Sequence, residues 1–366
     1  MSTLKVGGIR GVSASSDAIT VANDGTCTAN ITSNGGSQFF NRNKIINGEA
    51  QISQRGTISN HGTSPLYTAV DRFSTRIGTS FNFDVTTSQS TDTPDGFQNS
   101  LKVTPDSTQT PSGSANGGIQ TKLEGQDLQN FQYGLSSAKP ITLSFYAKSG
   151  SAGAGTYSIE LRYRNSSNAS FNQTRAFTIT SSWQRFTFTI EPNGAATSND
   201  IRNSNDEGFV IIWHLASGPS DQTSAVTTWT SSNAMTTITG MDNFMSSTSN
   251  EFFLTGVQLE VGSIATDFEH RSFGEEEEKC LRYYQNLGIT KIFAGFSDGN
   301  TTSRLSLNFM FIKPMRIEPT KSFTNDTTGS SISDRTTRYA VGMVFNTTNS
   351  RGGTGHITDI VLDSEL

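Results

Sequence analysis

Hydrophobic and polar positions alternate in short runs along most of this chain. In QRFTFTIE (184–191), Phe186, Phe188 and Ile190 fall on one side and Arg185, Thr187 and Thr189 on the other. That period of two belongs to a strand with one core face and one wet face. FVIIWHLA (209–216) departs from it, being apolar on both sides except at His214, and predicts a central strand buried on both faces or facing a neighbouring subunit. In the segment 252–259, Phe253, Thr255, Val257 and Leu259 form an expected apolar row. Phe252 and Leu254 share the second row with Gly256 and Gln258, and Gly262 breaks the strand. Further runs predict strands over 80–88, 98–103, 118–123, 141–148, 157–163 and 174–180, separated by Gly, Ser, Asn and Pro clusters. Many short strands so divided favour an all-β sandwich or jelly roll over an α/β fold.

The flanks read differently. Residues 1–40 hold two short extended runs, 4–6 and 18–21, in a Gly-, Ser-, Asn- and Asp-rich stretch with too little apolar surface to fold alone. Between 216 and 251 the chain is polar, with Trp229, Met235 and Met241 scattered in it. So long a loop tends to be functional or to cross between sheets. A helix is expected over 272–288: Ser272 and Glu275 fit a capping box, the acid run 275–278 suits the positive end of the helix dipole, and Gly288 can end it. Leu281, Tyr284 and Leu287 would form its packing stripe. Strands return over 289–296, 304–311, 321–323, 338–345 and 356–362, with Leu305, Leu307, Phe309 and Phe311 on one side. The expected divisions are an arm (1–40), a sandwich (41–271), a linking helix (272–288) and a smaller C-terminal β-domain (289–366).

Only 33% of the 366 residues are apolar, which raises disorder as an explanation; 16% charged residues, a net charge of −5 and 24 Phe argue against it. Thin sandwiches with Thr- and Asn-rich outer faces fit better, and small β-domains of this kind gain stability by association. The mild acidity, with no Lys/Arg cluster interleaved with aromatics, argues against nucleic acid as a partner. No leader-like apolar core lies in the first fifteen residues, and no run approaches the ~20 apolar residues that span a bilayer. Synthesis in a cytoplasm without membrane insertion is expected. Cys27 and Cys280 lie in different segments and read as two free thiols.

Catalytic chemistry finds little footing. His61, His214, His270 and His356 are each isolated, and no HExxH, CxxC, GxSxG, Walker or strand-linked GxGxxG pattern occurs. Glu260, Asp267 and Glu269 flank one strand-to-helix turn and read as structural, and the repeated short turns of a parallel β-helix are missing. No catalytic residue is expected. Sugar binding on a β-sandwich needs aromatic faces for pyranose rings beside polar side chains for hydroxyls. Trp183 and Trp213, at or in strands, read as core. Trp229, in the polar loop, is the expected exposed aromatic, with Tyr133 and Tyr163 as companions; it serves either as loop anchor or as ligand platform.

Several ordered motifs carry a family resemblance: IINGEAQISQRGT (45–57), YTAVDRF (67–73), ITLSFYAKSG (141–150) and EFFLTGVQLEVGSIATDFEHR (251–271), followed by RYYQ (282–285). Over roughly residues 41–290 the chain resembles the carbohydrate-binding-module-like jelly rolls of bacteriophage tail-fibre and other virion proteins. STLKV (2–6) resembles the start of N-terminal segments on marine, cyanophage-like structural proteins. PMRIEPTKSF (314–323) and ITDIVLDSEL (357–366) resemble the terminal β-domain that follows RYYQ in such proteins. The resemblance implies a homotrimeric tail fibre or receptor-binding protein in the virion. Residues 1–40 would attach it to other virion proteins and the β-domains would meet host surface polysaccharide. A capsid-mounted head fibre or decoration protein is the alternative, and a glycan depolymerase the third. Asp71 and Arg72 are a hallmark of the resemblance, expected as a hydrogen-bonded structural anchor. No cofactor is implied beyond a structural calcium, which related modules hold through backbone oxygens.

Overall fold

The computed structural model describes residues 8–9, 19–21, 27–29, 41–59, 61–78, 81–231, 236–288, 291–295, 303–327, 330–334, 337–347 and 353–366. Alternating runs pair into two five-stranded antiparallel sheets. The first holds β1 (Phe73–Gly78), β4 (Asn116–Glu124), β6 (Gly155–Arg164), β7 (Ser170–Ile179) and β9 (Glu207–Ser217) in the order β7-β6-β9-β4-β1. The second holds β2 (Val85–Ser90), β3 (Ser100–Pro105), β5 (Ile141–Ser149), β8 (Gln184–Ile190) and β10 (Phe252–Val261) in the order β8-β5-β10-β3-β2. One core lies between them, where Trp213 of β9 meets Phe145 of β5 edge-on at 5.6 Å and Phe73 of β1 at 6.3 Å. The all-β sandwich expected from the pattern is the fold. The strand read as apolar on both sides is β9, the central strand of its sheet, buried from Gly208 to Ser217.

The rows of β10 differ from the expectation. A register shift between Thr255 and Gln258, with Gly256 at φ +60°, inserts a bulge. It carries Phe252 and Leu254 to the same core face as Val257 and Leu259 and turns Phe253 and Thr255 outward. A Cβ on Gly256 would lie 2.8 Å from the rings of Phe97 and Tyr146, so the bulge needs glycine on steric grounds as well. Of the segment read as a strand over 80–88, residues 85–88 are strand, within β2, and Phe81 and Phe83 ahead of it are buried in the loop that follows β1.

Three sheet edges are occupied by neighbouring loop. Backbone bridges join Ile58 to Thr87 of β2, Tyr67 to Ser74 of β1 and Thr230 to Asn172 of β7. The long segment after β9 thus runs beside β7.

The capping box stands: Ser272 and Glu275 exchange hydrogen bonds at the start of α1 (Phe273–Leu281). The helix, however, ends seven residues before Gly288. Tyr283 is drawn into the sandwich, where its hydroxyl donates to Glu124 at 2.6 Å, and Tyr284 opens β11 (Tyr284–Asn286). Tyr284 and Leu287 therefore lie off the helix instead of extending a stripe from Leu281. Cys280, in the last turn, is a buried free thiol; the side chain of Cys27 is outside the described residues.

The C-terminal region adds β12 (Lys291–Gly295), β13 (Ser303–Met310), β14 (Thr320–Thr327), β15 (Ser330–Asp334), β16 (Ala340–Thr347) and β17 (Gly353–Asp363). β17 pairs with β11, β12 and β14, and β13, β16 and β15 form a second sheet. Gly8–Ile9, Ile19–Val21 and Cys27–Ala29 make a small antiparallel sheet near the N-terminus; the run expected over 4–6 lies outside the described residues.

Candidate functional site

The three aromatic residues singled out for sugar contact come together, as packing. Tyr163 is fully buried and Tyr133 5% exposed. Trp229 meets Tyr163 edge-on at 4.8 Å and Tyr133 at 6.2 Å, and its indole N–H donates to the Glu191 carbonyl at 2.8 Å. Tyr163 stacks on Phe171 at 5.0 Å. Burial pushes its phenol up to about 12, against the opposing Asn193 hydrogen bond. Neither tyrosine offers a ring face to solvent, and Trp229 fastens the long loop over the sandwich edge.

Asp71 and Arg72 sit where the sandwich meets α1 and the C-terminal residues. Both are buried. The Asp71 carboxylate accepts from the Gln54 backbone N–H (3.1 Å) and side-chain amide (2.6 Å) and lies 3.6 Å from Arg55. Arg72, at φ +72°, donates to the Lys122 carbonyl (2.8 Å), pairs with Glu365 and packs its guanidinium 3.4 Å over the Tyr283 ring.

Partly exposed aromatic rings gather on the outer face of the second sheet. Alternation in ITLSFYAK points Phe145 inward and Tyr146 and Lys148 outward, and the Gly256 bulge turns Phe253 to the same face. Trp183, at the start of β8, packs edge-on against Phe253 at 6.3 Å. Asp92 accepts from the Trp183 indole N–H at 3.1 Å and from Lys148 at 2.6 Å. Desolvation pushes the Asp92 carboxyl upward, but these two donors outweigh it and leave its pKa lowered. Beside this group Phe97 contacts Tyr146 (5.3 Å), Phe268 (5.1 Å) and the ring of His270 (5.2 Å), and Arg185 lies 5.9 Å over Tyr146. Trp183, Tyr146, Phe97 and Phe268 are all partly exposed, and His270 is exposed. Trp183 thus lies outside the core in which its strand-edge position suggested it would pack, whereas Trp213 is fully buried. Aromatic faces beside charged hydrogen-bonding groups are the chemistry a pyranose needs. The period of two around Tyr146 contained this signal; the bulge that adds Phe253 left no trace in it.

The outer face of the first sheet is polar and closed. His214 of β9 and Glu160 of β6 are unexposed, 3.0 Å apart, with Arg162 3.6 Å from Glu160. Burial opposes the Glu160 charge, yet the His214 hydrogen bond and the Arg162 and Arg76 charges hold its carboxyl below the usual value. Ser158 is paired directly opposite His214, but its hydroxyl makes no hydrogen bond. These residues therefore lack the linked nucleophile and base of a hydrolase. Among the described residues no three His, Cys, Asp or Glu side chains converge as metal ligands. No helix is long and apolar enough to cross a membrane among the described residues.

Fold and faces together define a β-sandwich with an aromatic outer surface and a docked C-terminal region. No protein-family model matches the chain, and no curated protein is similar to it. Among solved structures it is similar to the enzymatically active domain of tailspike protein 4 of bacteriophage CBA120, at 10% identity and a TM-score of 0.32, over 60% of this chain and 21% of that one. The chain therefore spans about a fifth of that tailspike domain. It is also similar to the family 11 carbohydrate-binding module of a Clostridium thermocellum cellulosomal cellulase (12% identity, TM-score 0.28, 57% of this chain and 99% of that one). A third likeness is to the xylan-binding family 22 module of a Paenibacillus barcinonensis protein (9% identity, TM-score 0.28, 60% and 93%).

Proposed function

We propose that this chain is a phage virion structural protein, a homotrimeric tail fibre or receptor-binding protein without catalytic activity, whose sandwich meets host-cell glycan. The sequence motifs supply the virion reading and residues 1–40 the attachment arm. The observation that carries glycan contact is the strip of partly exposed rings on the second sheet, Trp183, Tyr146, Phe97 and Phe268, with Asp92, Lys148 and Arg185 beside it. One ring stacked on a sugar contributes roughly 0.5–1.5 kcal/mol, or about 2- to 10-fold in affinity. Each site is then weak, and firm adsorption comes from linking three of them in a trimer and several trimers on a particle.

The test is adsorption of host cells in competition with purified protein. Wild-type protein is expected to block adsorption and the Trp183→Ala variant to need several-fold higher concentration. Equal blocking by both would remove the aromatic strip as the contact. Antibody against residues 290–366 seen on the capsid by electron microscopy would move the protein to a head fibre or decoration role.

A further inference from the structure

The aromatic strip has an internal order. Trp183, just before β8, Lys148 of β5, Phe253 of β10 and Lys102 of β3 follow one another across four adjacent strands. Phe253 is paired in register with Lys148 on one side and Lys102 on the other. Ring and cation alternate: the Lys148 ammonium lies 5.5 Å from the Trp183 ring and 5.0 Å from that of Phe253, and the Lys102 ammonium lies 5.5 Å from Phe253. Three strand spacings carry this row over about 14 Å, more than one pyranose ring covers. Each lysine also has its own acid, since Lys148 pairs with Asp92 at 2.6 Å and Lys102 with Glu251 at 2.5 Å. Farther along the strip His270 is hydrogen-bonded to Glu49 at 2.9 Å, and Arg185 donates to the Thr266 carbonyl and the Ser144 hydroxyl. Lys102, Lys148 and Arg185 thus stand beside Asp92, Glu251 and Glu49, and the strip carries no surplus of either charge.

We infer that the strip takes an uncharged glycan chain of more than one sugar ring, lying across the strands from Trp183 toward Lys102. The inference rests on the reading that the sandwich meets host glycan and names the chemical class of that glycan. An acidic sugar would have to bring its charge beside Asp92 and Glu251 and draw a lysine from a partner it already holds, an exchange that gains little between exposed groups. A neutral chain asks for no such exchange. Its hydroxyls can donate to the remaining lone pairs of Asp92 and Glu251, whose side chains are 45% and 27% exposed, while the partly exposed rings of Trp183 and Tyr146 meet its C–H faces. The acceptors are held in place before binding. The loop between β2 and β3 brings Asp92 and Phe97 to the strip together, fixed by Thr93 donating to the Phe97 carbonyl at 2.9 Å and Ser100 to the Asp92 carbonyl at 2.6 Å. The Trp183 indole N–H ties the Asp92 carboxylate further, so the first ring of the row and its acceptor are positioned as one unit. Such preorganisation spares binding the cost of ordering loose side chains.

The test uses the host's surface polysaccharide, cut to single sugars and to short chains of graded length and divided by anion exchange into neutral and acidic fractions. Each fraction competes with host cells for the full chain. Neutral chains are expected to compete several-fold better than neutral single sugars and than acidic chains of equal length, and to do so equally at low and high salt. The Asp92→Asn/Glu251→Gln variant should lose several-fold for the neutral chains and, with two lysines now unpaired, gain for the acidic ones. Its thermal unfolding should stay close to wild type, both positions being at least partly exposed. Acidic chains that compete best against wild type, or that gain nothing in the double variant, would overturn the inference. Neutral single sugars as effective as chains would overturn its multi-ring part. Failure of both fractions against wild type would sink the proposed function as well, whereas competition by the acidic fraction alone, lost with Trp183→Ala, would leave that function standing without this inference.

Discussion

Asp71 illustrates how burial sets the chemistry of a single residue in this protein. Removal from water pushes its carboxyl from the ordinary 3.8 to about 6, although Arg55 and the Gln54 donors pull the other way. An acid that holds its proton more tightly when folded adds stability at low pH, and that stability fades as pH rises from about 4 to about 6. Urea midpoints measured across pH 4–7 should therefore show Asp71→Asn gaining on wild type through that window. A constant difference would mean that Asp71 has an ordinary pKa in the folded state. Trp229 makes a complementary case. Its ring closes over Tyr163 and Tyr133, so Trp229→Ala should destabilise the fold by about 2–3 kcal/mol, where Trp183→Ala, on the outer face, should leave thermal unfolding nearly unchanged. The sequence alone placed Trp213 in the core but misplaced Trp183. Trp229 is partly exposed, as its polar loop suggested, but its ring also lies against Tyr163 and Tyr133, a contact about which local polarity says nothing.

At the level of elements, alternation was a dependable guide where it was unbroken. QRFTFTIE became β8 with the expected faces, and the doubly apolar run became the central β9. It misled at β10, because one inserted residue moves every following side chain to the opposite face and only Gly256 hinted at it. The bulge is testable there. A Gly256→Ala protein must take φ +60° with a Cβ pressed on Phe97 and Tyr146, a conformation that alone costs ~1–2 kcal/mol for an L-residue. Calorimetry should register at least that loss, and the fluorescence of the aromatic strip should change with it. Helix α1 was likewise legible at its start, where capping is local chemistry. Its end was not, because distant partners on the sandwich, Glu124 above all, decide it.

Across the whole molecule, the C-terminal region is fastened to the sandwich by buried charge. Glu365 pairs with Arg72 and Arg55, and Arg316 donates to the Ser364, Glu365 and Asn205 carbonyls. Arg72→Ala would leave Glu365 buried with half its compensation gone, a change that typically costs ~3–5 kcal/mol. Limited proteolysis should then release fragments from the region after residue 288 before the sandwich is cut; unchanged protection would mean that the strand pairing of β17 holds this region alone. No local pattern announced this arrangement, since its partners lie about 290 positions apart in the chain.

The occupied sheet edges bear on how copies can associate. Loop backbone bridges β1, β2 and β7 on their outer sides, while among the described residues β8 is joined only to β5. A sheet that grows by strand addition needs two open edges per subunit; with one, a pair of β8 strands can meet and growth then stops. Sandwiches lying side by side are thereby kept from extending their two sheets without limit, and a three-fold packing of the sandwiches would use their faces and loops more readily than their strand edges.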